Sequence, residues 1–511
     1  MSQASNKYWI YFKDKGDTSK ICTPLLSPEG IANRITFQLS TRQWTDFPVN
    51  NQFIHQIEQL GTSIIVKSKW LNAVSAILNE TQLQQVKSLS FVSKVQRIKS
   101  NLKPASETPP KAVKKYASSI DMMQAESFVA AGLDGSNVKL GVIDAGYDNA
   151  DKDSNLVHLF KKKNIRFTKD FLQPSHDTAF YKAVTKSDFH GTEVLLNLAG
   201  NLKGNKPIQF GLATNAQYYL ARTEDGDHES RKEEDLWIAA MEWMDSLGVR
   251  LISTSLGYAR DMDNPDENYK IAEMNGKTSA ISKAASIAVN EKGIFLVVAA
   301  GNEGHKSDWK IITTPADVEG VVSVGAAYAN WQKAGYSSVG YDSVPFIKPN
   351  LSTFSLTGTS FSAPAVAGFV ACMMQKNPLL KSDSIKTLLY QSAHLYPYGN
   401  NYIGFGLPQA DIALSLLNGI PNRKSYKPIK ITGKSATFNI DQPDIHPILA
   451  FHKKDYRTVI NQEELKTTNL KTFWEKIFFI KNNKHIVTLV RQKGIAFTTL
   501  QIGLTVFEFE W

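Results

Sequence analysis

The chain has 511 residues, of which 42% are hydrophobic and 21% charged, with 31 glycines and 20 prolines. Such a composition is typical of a folded globular protein of about two to four domains, and it excludes a short peptide, a collagen-like chain and a disordered chain. The net charge of +10 is unevenly spread. Lys and Arg number 16 against 7 Asp and Glu in residues 1–120, 27 against 33 in residues 121–420, and 15 against 8 in residues 421–511. Because no single domain carries this total, the net charge gives little support for nucleic-acid binding.

The sequence contains few features that indicate the cellular location of the protein. The two cysteines, Cys22 and Cys372, are too few for a disulfide framework. The longest apolar run, residues 294–300, has seven residues, far below the roughly 20 that span a bilayer, so no transmembrane helix is expected. Residues 1–7 contain no basic segment followed by an apolar run; a secretory signal peptide is therefore either absent or already removed from this numbering.

Residues 7–99 are predicted to form a compact α+β domain. Strand-like runs at 8–12, 63–67, 73–78 and 92–98 alternate with amphipathic helices at 50–60 and 80–89. Residues 101–119 follow with three prolines, four lysines and little apolar content. We therefore assign residues 100–119 to an exposed linker that contains a processing site.

Residues 120–420 are predicted to form an α/β domain with a doubly wound, mostly parallel sheet. Short apolar runs alternate with helical stretches, as expected when strands are covered on both faces. The predicted strands are residues 139–143, 217–222, 251–255, 294–299 and 320–324, and the predicted helices include 233–247 and 278–292. Residues 421–511 are basic and β-rich, and they are assigned to a small β domain of unknown role.

Functional residues of a doubly wound sheet gather at the C-terminal ends of its strands. Asp144 stands at the end of the first such strand and His190 at the start of an apolar helix. Each has an ordinary structural interpretation: Asp144 as a helix cap or turn former, and His190 as a structural histidine.

Two further segments carry polar groups suited to acyl transfer. Ser360 opens an apolar helix in which Pro364 is expected to lie in the first turn, and this position leaves the backbone N–H of Ser360 free to face an anion. Asn302 lies between two glycines after an apolar strand, where it forms a tight turn or aims a carboxamide at a developing oxyanion.

Together, the four segments around Asp144, His190, Asn302 and Ser360 resemble the signature blocks of the subtilisin-like serine peptidases, the subtilase or S8 family, in that family's chain order. The resemblance implies a serine endopeptidase that cleaves extended polypeptides through an acyl-enzyme. In it, Ser360 is the nucleophile, His190 the general base and Asp144 the group that orients the imidazole. Asn302 and the Ser360 N–H form the oxyanion hole.

The same resemblance implies how a substrate is held. Residues 253–258 look like the family's substrate-pairing strand, which includes Ser255, Leu256 and Gly257, although an ordinary core strand is the alternative. Ala299, Ala300 and Gly301 would line the pocket for the side chain before the scissile bond. Two departures stand out: Glu193 occupies a position where many relatives have histidine, and residues 348–351 replace a longer loop, which puts that wall of the cleft in doubt.

A run of seven carboxylates lies within residues 223–235. Subtilases often bind calcium through surface oxygens, but this spacing matches no calcium loop, and we expect a solvated acidic turn at a helix N-terminus. No metal site is assigned and no cofactor is predicted.

Residues 7–99 resemble a subtilase propeptide that inhibits the enzyme and is later cut away. The expected partners are therefore protein or peptide substrates and the chain's own propeptide, with no nucleic acid. The expected location is outside the cell or on the surface of a bacterium. Two alternatives stay open: a catalytically silent binding protein with the subtilase fold, and a maturation protease that acts on one partner.

Overall fold

The computed structural model describes residues 6–19, 21–98, 118–202, 207–228, 230–260, 262–341, 344–421, 427–440, 448–466, 468–469 and 485–511. Among these residues, no helix is long and apolar enough to cross a membrane. Cys22 is exposed, Cys372 is buried, and both are free thiols.

The N-terminal residues form an antiparallel sheet with helices packed against it. Its strands are β1 (Asn6–Phe12), β2 (Ile64–Ser68), β3 (Ala73–Leu78) and β4 (Val92–Ile98), and its helices are α1 (Pro28–Thr36), α2 (Asn51–Glu58) and α3 (Glu80–Ser88). The strand order is β2-β3-β1-β4. Helix α1 was not predicted; Ser27 caps it by accepting a hydrogen bond from Gly30 N at 3.0 Å.

The central sheet has seven strands, and all its pairings are parallel. Its strands are β5 (Lys139–Asp144), β6 (Ile165–Asp170), β9 (Gln217–Arg222), β10 (Leu251–Thr254), β11 (Phe295–Ala299), β12 (Val322–Ala327) and β13 (Leu351–Phe354), with β7 (Asn201–Leu202) and β8 (Ile208–Gln209) as a separate pair. The order β13-β12-β11-β10-β5-β9-β6 confirms the predicted α/β class.

Helices cover both faces of this sheet. They are α4 (Ser118–Met122), α5 (Glu126–Ala130), α6 (Val157–Lys161), α7 (His190–Ala199), α8 (Lys232–Ser246), α9 (Ala280–Asn290), α10 (Thr359–Lys376), α11 (Ser382–Ser392) and α12 (Ala410–Leu417). Side chains alternate between the faces: Val142 packs in one core cluster with α7 and α10, while Ile143 packs in the other with α8 and α9. Trp9 and Trp70 of the N-terminal sheet region belong to the second cluster.

The C-terminal residues form two small sheets. Their strands are β14 (Ile429–Lys430), β15 (Ser435–Ile440), β16 (Ile448–Lys453), β17 (Val459–Leu465), β18 (Thr468–Asn469), β19 (His485–Val490), β20 (Phe497–Ile502) and β21 (Thr505–Glu510). Leu449, Phe451 and Val459 pack against Trp331 and Leu395 of the central region. This part of the chain is therefore docked on the α/β core through a shared apolar cluster.

The predicted central strands are present, with ends that differ by up to three residues. The two edge strands β6 and β13 were missed, because their sequences are short or polar and lack the continuous apolar run of a strand buried on both faces. Residues 100–117 of the predicted linker lie outside the described residues. Ser118 and Ser119, also assigned to the linker, are the first residues of α4.

Candidate active site

Asp144 and His190 meet at the C-terminal edge of the central sheet. Asp144 is the last residue of β5 and is fully buried, and His190 is the first residue of α7. Their side chains are joined by a hydrogen bond of 2.6 Å between His190 Nδ1 and Asp144 Oδ1. Helix α7 approaches closely because residue 191 is glycine: a Cβ there would lie 2.2 Å from Gly146 O.

A buried arginine at the end of β9 stabilises this junction. Arg222 Nε donates to Ala145 O at 3.0 Å, and its Nη2 lies 3.1 Å from Asp188 Oδ1. It therefore connects the residue after Asp144 with a residue two positions before His190. Sequence reasoning missed this role; the available signal was an arginine that ends an otherwise apolar buried strand.

Ser360 lies in the first turn of α10 and is 8% exposed. Its Oγ donates to Ser255 O at 3.3 Å, and no hydrogen bond joins it to His190 in this rotamer. Such contacts are often loose before substrate binds.

Pro364, expected in the first helical turn, stands at the sixth helical position instead. Because it has no N–H to donate to Ser360 O, that carbonyl accepts from Ser255 Oγ at 2.8 Å.

Asn302 follows β11 and is held by the start of α10. Its Oδ1 accepts hydrogen bonds from Thr359 N at 2.9 Å and from Thr359 Oγ1 at 3.1 Å. Because Thr359 binds the amide oxygen, the NH₂ group is the part of the carboxamide that remains available to a substrate. Asn302 lines the cavity described below. The preceding Gly301 has φ of +106°, a conformation that favours glycine.

One cavity of about 240 Å³ brings most of the predicted residues together. His190, Asn302 and Ser360 line it, as do Ser255, Leu256 and Gly257. Asp144 lies behind His190. Ala299 and Ala300 are buried at the end of β11, and neither they nor Gly301 line this cavity.

The ionisable side chains that line this cavity, apart from His190, are acidic. They are Glu193, Glu224, Asp225 and Glu233. Burial raises the pKa of Glu193, and the Asp144 charge adds to this effect against the opposing influence of His190.

The prediction of a solvated acidic turn at residues 223–235 is wrong for most of the segment. Four of its carboxylates are buried: Glu224, Glu233, Glu234 and Asp235. Three of them are bound by groups that are distant in sequence. Glu224 accepts from Tyr258 OH at 2.6 Å, Glu234 accepts from Tyr269 OH at 2.7 Å, and Asp235 forms an ion pair with Lys7.

The carboxylates of residues 223–235 differ in their exposure and in their contacts. Asp225 is half-buried and Asp227 is exposed, whereas Glu229 lies outside the described residues. Glu233 accepts hydrogen bonds from the backbone N–H groups of Asp225 and Ser230, so it organises the loop. Burial raises the pKa of Glu234 to about 7. No group of three or more His, Cys, Asp or Glu among the described residues is arranged to hold a metal ion.

The pKa of His190 is raised above its ordinary value of 6.5 by its acidic neighbours. Burial of the imidazole acts in the opposite direction, because it disfavours the charged ring. The Asp144 charge, the hydrogen bond to Asp144 and the Glu193 charge together outweigh burial.

The N-terminal region covers helix α8 through buried polar contacts. Arg34 binds Asp245 through two hydrogen bonds of 2.9 Å, and Asp46 binds Lys292 at 2.6 Å. The Glu242 carboxylate accepts from Ser68 Oγ at 2.6 Å. Cations and anions therefore stand on both sides of this interface, so the excess of Lys and Arg in residues 1–120 and of Asp and Glu in residues 121–420 describes only part of it.

Known families match two parts of the chain. The subtilase family, Peptidase S8, matches residues 135–406, and the Peptidase S8 propeptide domain of Bacteroidota matches residues 7–115.

The similar proteins include subtilisins and a further serine protease. Subtilisin NAT of Bacillus subtilis subsp. natto is 26% identical over 360 residues, which cover 69% of this chain and 83% of that protein. Subtilisin DY of Bacillus licheniformis is 27% identical over 283 residues, which cover 54% of this chain and 90% of that protein. A solved structure of an epidermin leader peptide processing serine protease from Staphylococcus aureus shares the fold. Its TM-score is 0.56 at 16% identity, covering 81% of this chain and 100% of that chain.

Proposed function

This chain belongs to the subtilase family of serine peptidases and carries an S8 propeptide domain, and on that premise we propose that Asp144, His190 and Ser360 are its catalytic triad. One observation carries the proposal: the Asp144–His190 hydrogen bond of 2.6 Å borders the cavity that Ser360 and Asn302 also line. The proposed reaction is hydrolysis of peptide bonds in extended polypeptides.

Each proposed role follows from an atom's surroundings. The buried Asp144 carboxylate accepts a hydrogen bond from the His190 Nδ1–H, which keeps that proton on Nδ1 and leaves the lone pair of Nε2 available as a base. His190 takes the proton of Ser360 Oγ as this oxygen attacks the substrate carbonyl carbon. It then protonates the departing amine as the C–N bond breaks. In the second half of the reaction, His190 takes a proton from a water molecule as this water attacks the acyl carbon. It returns a proton to Ser360 Oγ as the ester C–O bond breaks and the carboxylic acid product leaves.

The charge that develops on the carbonyl oxygen needs donors already in place. The Asn302 NH₂ group is one candidate, since Thr359 holds the amide oxygen. The N–H of Ser360, in the first turn of α10, is the other. The Ser255–Gly257 segment, which lines the cavity, would pair with the substrate backbone.

An irreversible label for activated serines tests the proposal. A fluorophosphonate probe reacts with a serine only when a base activates it, so we expect the processed protein to be labelled and Ser360→Ala not to be labelled. The measurement is in-gel fluorescence followed by mass spectrometry of the modified peptide. Labelling of both proteins alike would contradict the assignment of Ser360 as the nucleophile. Absence of labelling would contradict the triad and favour a catalytically silent binding protein.

The N-terminal domain is proposed to act as an intramolecular inhibitor that the enzyme removes itself. The support is the propeptide-family match over residues 7–115 and the buried contacts of Arg34 and Asp46 with the α8–α9 side of the core. Residues 100–119 remain the proposed processing region. Action outside the cytoplasm and hydrolysis without a cofactor are proposed as well, and cell fractionation and assays after EDTA dialysis test them.

We expect Glu193→Gln to move the acidic limb of the pH–kcat/KM profile to lower pH. His190 acts as a base only when neutral, so activity rises with pH through its pKa, which lies above 6.5. Glu193 raises that pKa by favouring the charged imidazole, and glutamine removes this negative charge. Glu193→Asp keeps the charge and is the control. A limb that stays in place or moves to higher pH in Glu193→Gln would contradict the proposed coupling.

A further inference from the structure

One threonine stands between the predicted substrate-pairing segment and the predicted lining of the pocket for the side chain before the scissile bond, called here the two walls. Gly257 belongs to the substrate-pairing segment, and Gly301 belongs to the pocket lining. A Cβ atom on Gly257 would lie 2.2 Å from Thr313 Oγ1, and one on Gly301 would lie 2.7 Å from Thr313 Cγ2. The Thr313 side chain therefore fills the space between the two glycines.

The backbone holds Thr313 in this position. Its N–H donates to Ala300 O at 3.0 Å, within the wall that contains Gly301. The next residue, Thr314, exchanges two backbone hydrogen bonds with Tyr258, at 2.8 and 3.1 Å, directly after Gly257. Because each wall is hydrogen-bonded to this segment, the threonine cannot move away without breaking backbone pairing on one side.

Thr313 and the predicted pocket lining lie outside the open cavity. Gly257 lines the cavity together with Ser360, whereas Ala299, Ala300, Gly301 and Thr313 do not. Thr313 is 5% exposed, and its buried hydroxyl has no hydrogen-bond partner among the described residues. Burying a hydroxyl without a hydrogen-bond partner costs free energy of folding. Packing alone therefore does not explain why residue 313 is threonine.

We propose that Thr313 is the floor of the pocket for the side chain before the scissile bond and restricts that residue to glycine, alanine or serine. The inference rests on the proposed peptidase function and adds its substrate class. A small side chain fits above the threonine, whereas an aromatic or long aliphatic one would have to displace it from a close-packed position. The hydroxyl offers a short polar side chain, such as serine, a hydrogen-bond partner.

Peptide p-nitroanilides that differ only in the residue before the scissile bond test this proposal on the processed form of the full chain. For the unaltered enzyme, we expect kcat/KM with alanine to exceed that with phenylalanine by at least about tenfold, the scale on which pockets discriminate side-chain size. In Thr313→Gly, we expect the phenylalanine-to-alanine ratio to rise by at least about tenfold. Active enzyme is counted by fluorophosphonate titration, so partial loss of folded protein does not alter the ratio.

Thr313→Val is the matched control, because valine keeps the shape of threonine and removes the hydroxyl. It should keep the preference for alanine over phenylalanine and reduce the preference for serine over alanine. Efficient cleavage after phenylalanine by the unaltered enzyme, or an unchanged ratio in Thr313→Gly, would overturn the proposal while labelling of Ser360 still supports the peptidase. Absence of both labelling and hydrolysis would overturn the proposed function and this inference with it.

Discussion

Ser360→Ala is expected to lower kcat for peptide hydrolysis by on the order of 10⁶-fold, the loss known for removal of the nucleophile in subtilisin, a relative. Without the hydroxyl no acyl-enzyme forms, and the donors of the oxyanion hole can support only slow direct attack by water. The same variant should accumulate as the uncleaved 511-residue precursor, since the proposed processing uses this serine. Kinetics on a chromogenic peptide and intact-mass spectrometry measure the two effects.

Ser362→Ala is the matched control for this loss. Ser362 lies in the same helix and is buried, but its Oγ donates to Thr353 O at 3.4 Å and does not line the cavity. Its variant should be processed and should hydrolyse the peptide at nearly the unaltered rate. If Ser360→Ala were processed normally when purified from a host without other proteases, the autoprocessing proposal would be wrong.

Asp245→Ala is expected to accelerate release of the cleaved N-terminal domain by roughly 10²- to 10⁴-fold, because removing one partner of a buried ion pair costs about 3–5 kcal/mol. Arg34 is 1% exposed and binds both oxygens of Asp245 at 2.9 Å. After the substitution, the guanidinium has lost its partner across the interface. It keeps contacts within the N-terminal region, to Gln43 Oε1 at 2.7 Å, to Ser40 O at 3.1 Å and to Asp46 at 3.3 and 3.4 Å. The rate of onset of peptidase activity in the processed complex measures the release.

Two further variants separate this buried ion pair from a general change of charge. Asp383→Ala removes an exposed ion pair with Lys386, whose contribution should be about 0–1 kcal/mol, and should leave release nearly unchanged. The double variant Arg34→Met with Asp245→Leu should recover part of the lost affinity, because it leaves no unpaired charge at that position. Equal release from Asp245→Ala and the unaltered complex would show that this contact does not hold the domain.

Local sequence patterns predicted most of the fold. Apolar runs identified β5, β9, β10, β11 and β12, because strands covered on both faces need continuous apolar side chains. Edge strand β6 lacks this pattern because it is partly exposed to solvent and tolerates polar residues. Edge strand β13 has only four residues, of which Ser352 and Thr353 are polar although buried. Helix α1 was missed for a different reason: its close packing at Gly30 against Ser246 O depends on a distant part of the chain.

The candidate site also has features that local sequence predicts and features that only the folded chain determines. The four short segments around Asp144, His190, Asn302 and Ser360 could be recognised because each group needs its own local turn or helix start. Whether a carboxylate is solvated depends instead on what the rest of the chain brings to it. Asp235 is buried because Lys7 reaches it from more than 200 residues away, and no pattern within residues 223–235 contains that information.

The sequence by itself determined the family, the parallel α/β class and the chain order of the proposed catalytic groups, since these depend on local segments. Only the tertiary structure decided that Arg222 joins the Asp144 and His190 segments, and that Thr313 fills the space between Gly257 and Gly301. The physical reason is distance along the chain. Burial, ion pairing and pocket size are set by side chains that are far apart in sequence and that only folding brings into contact.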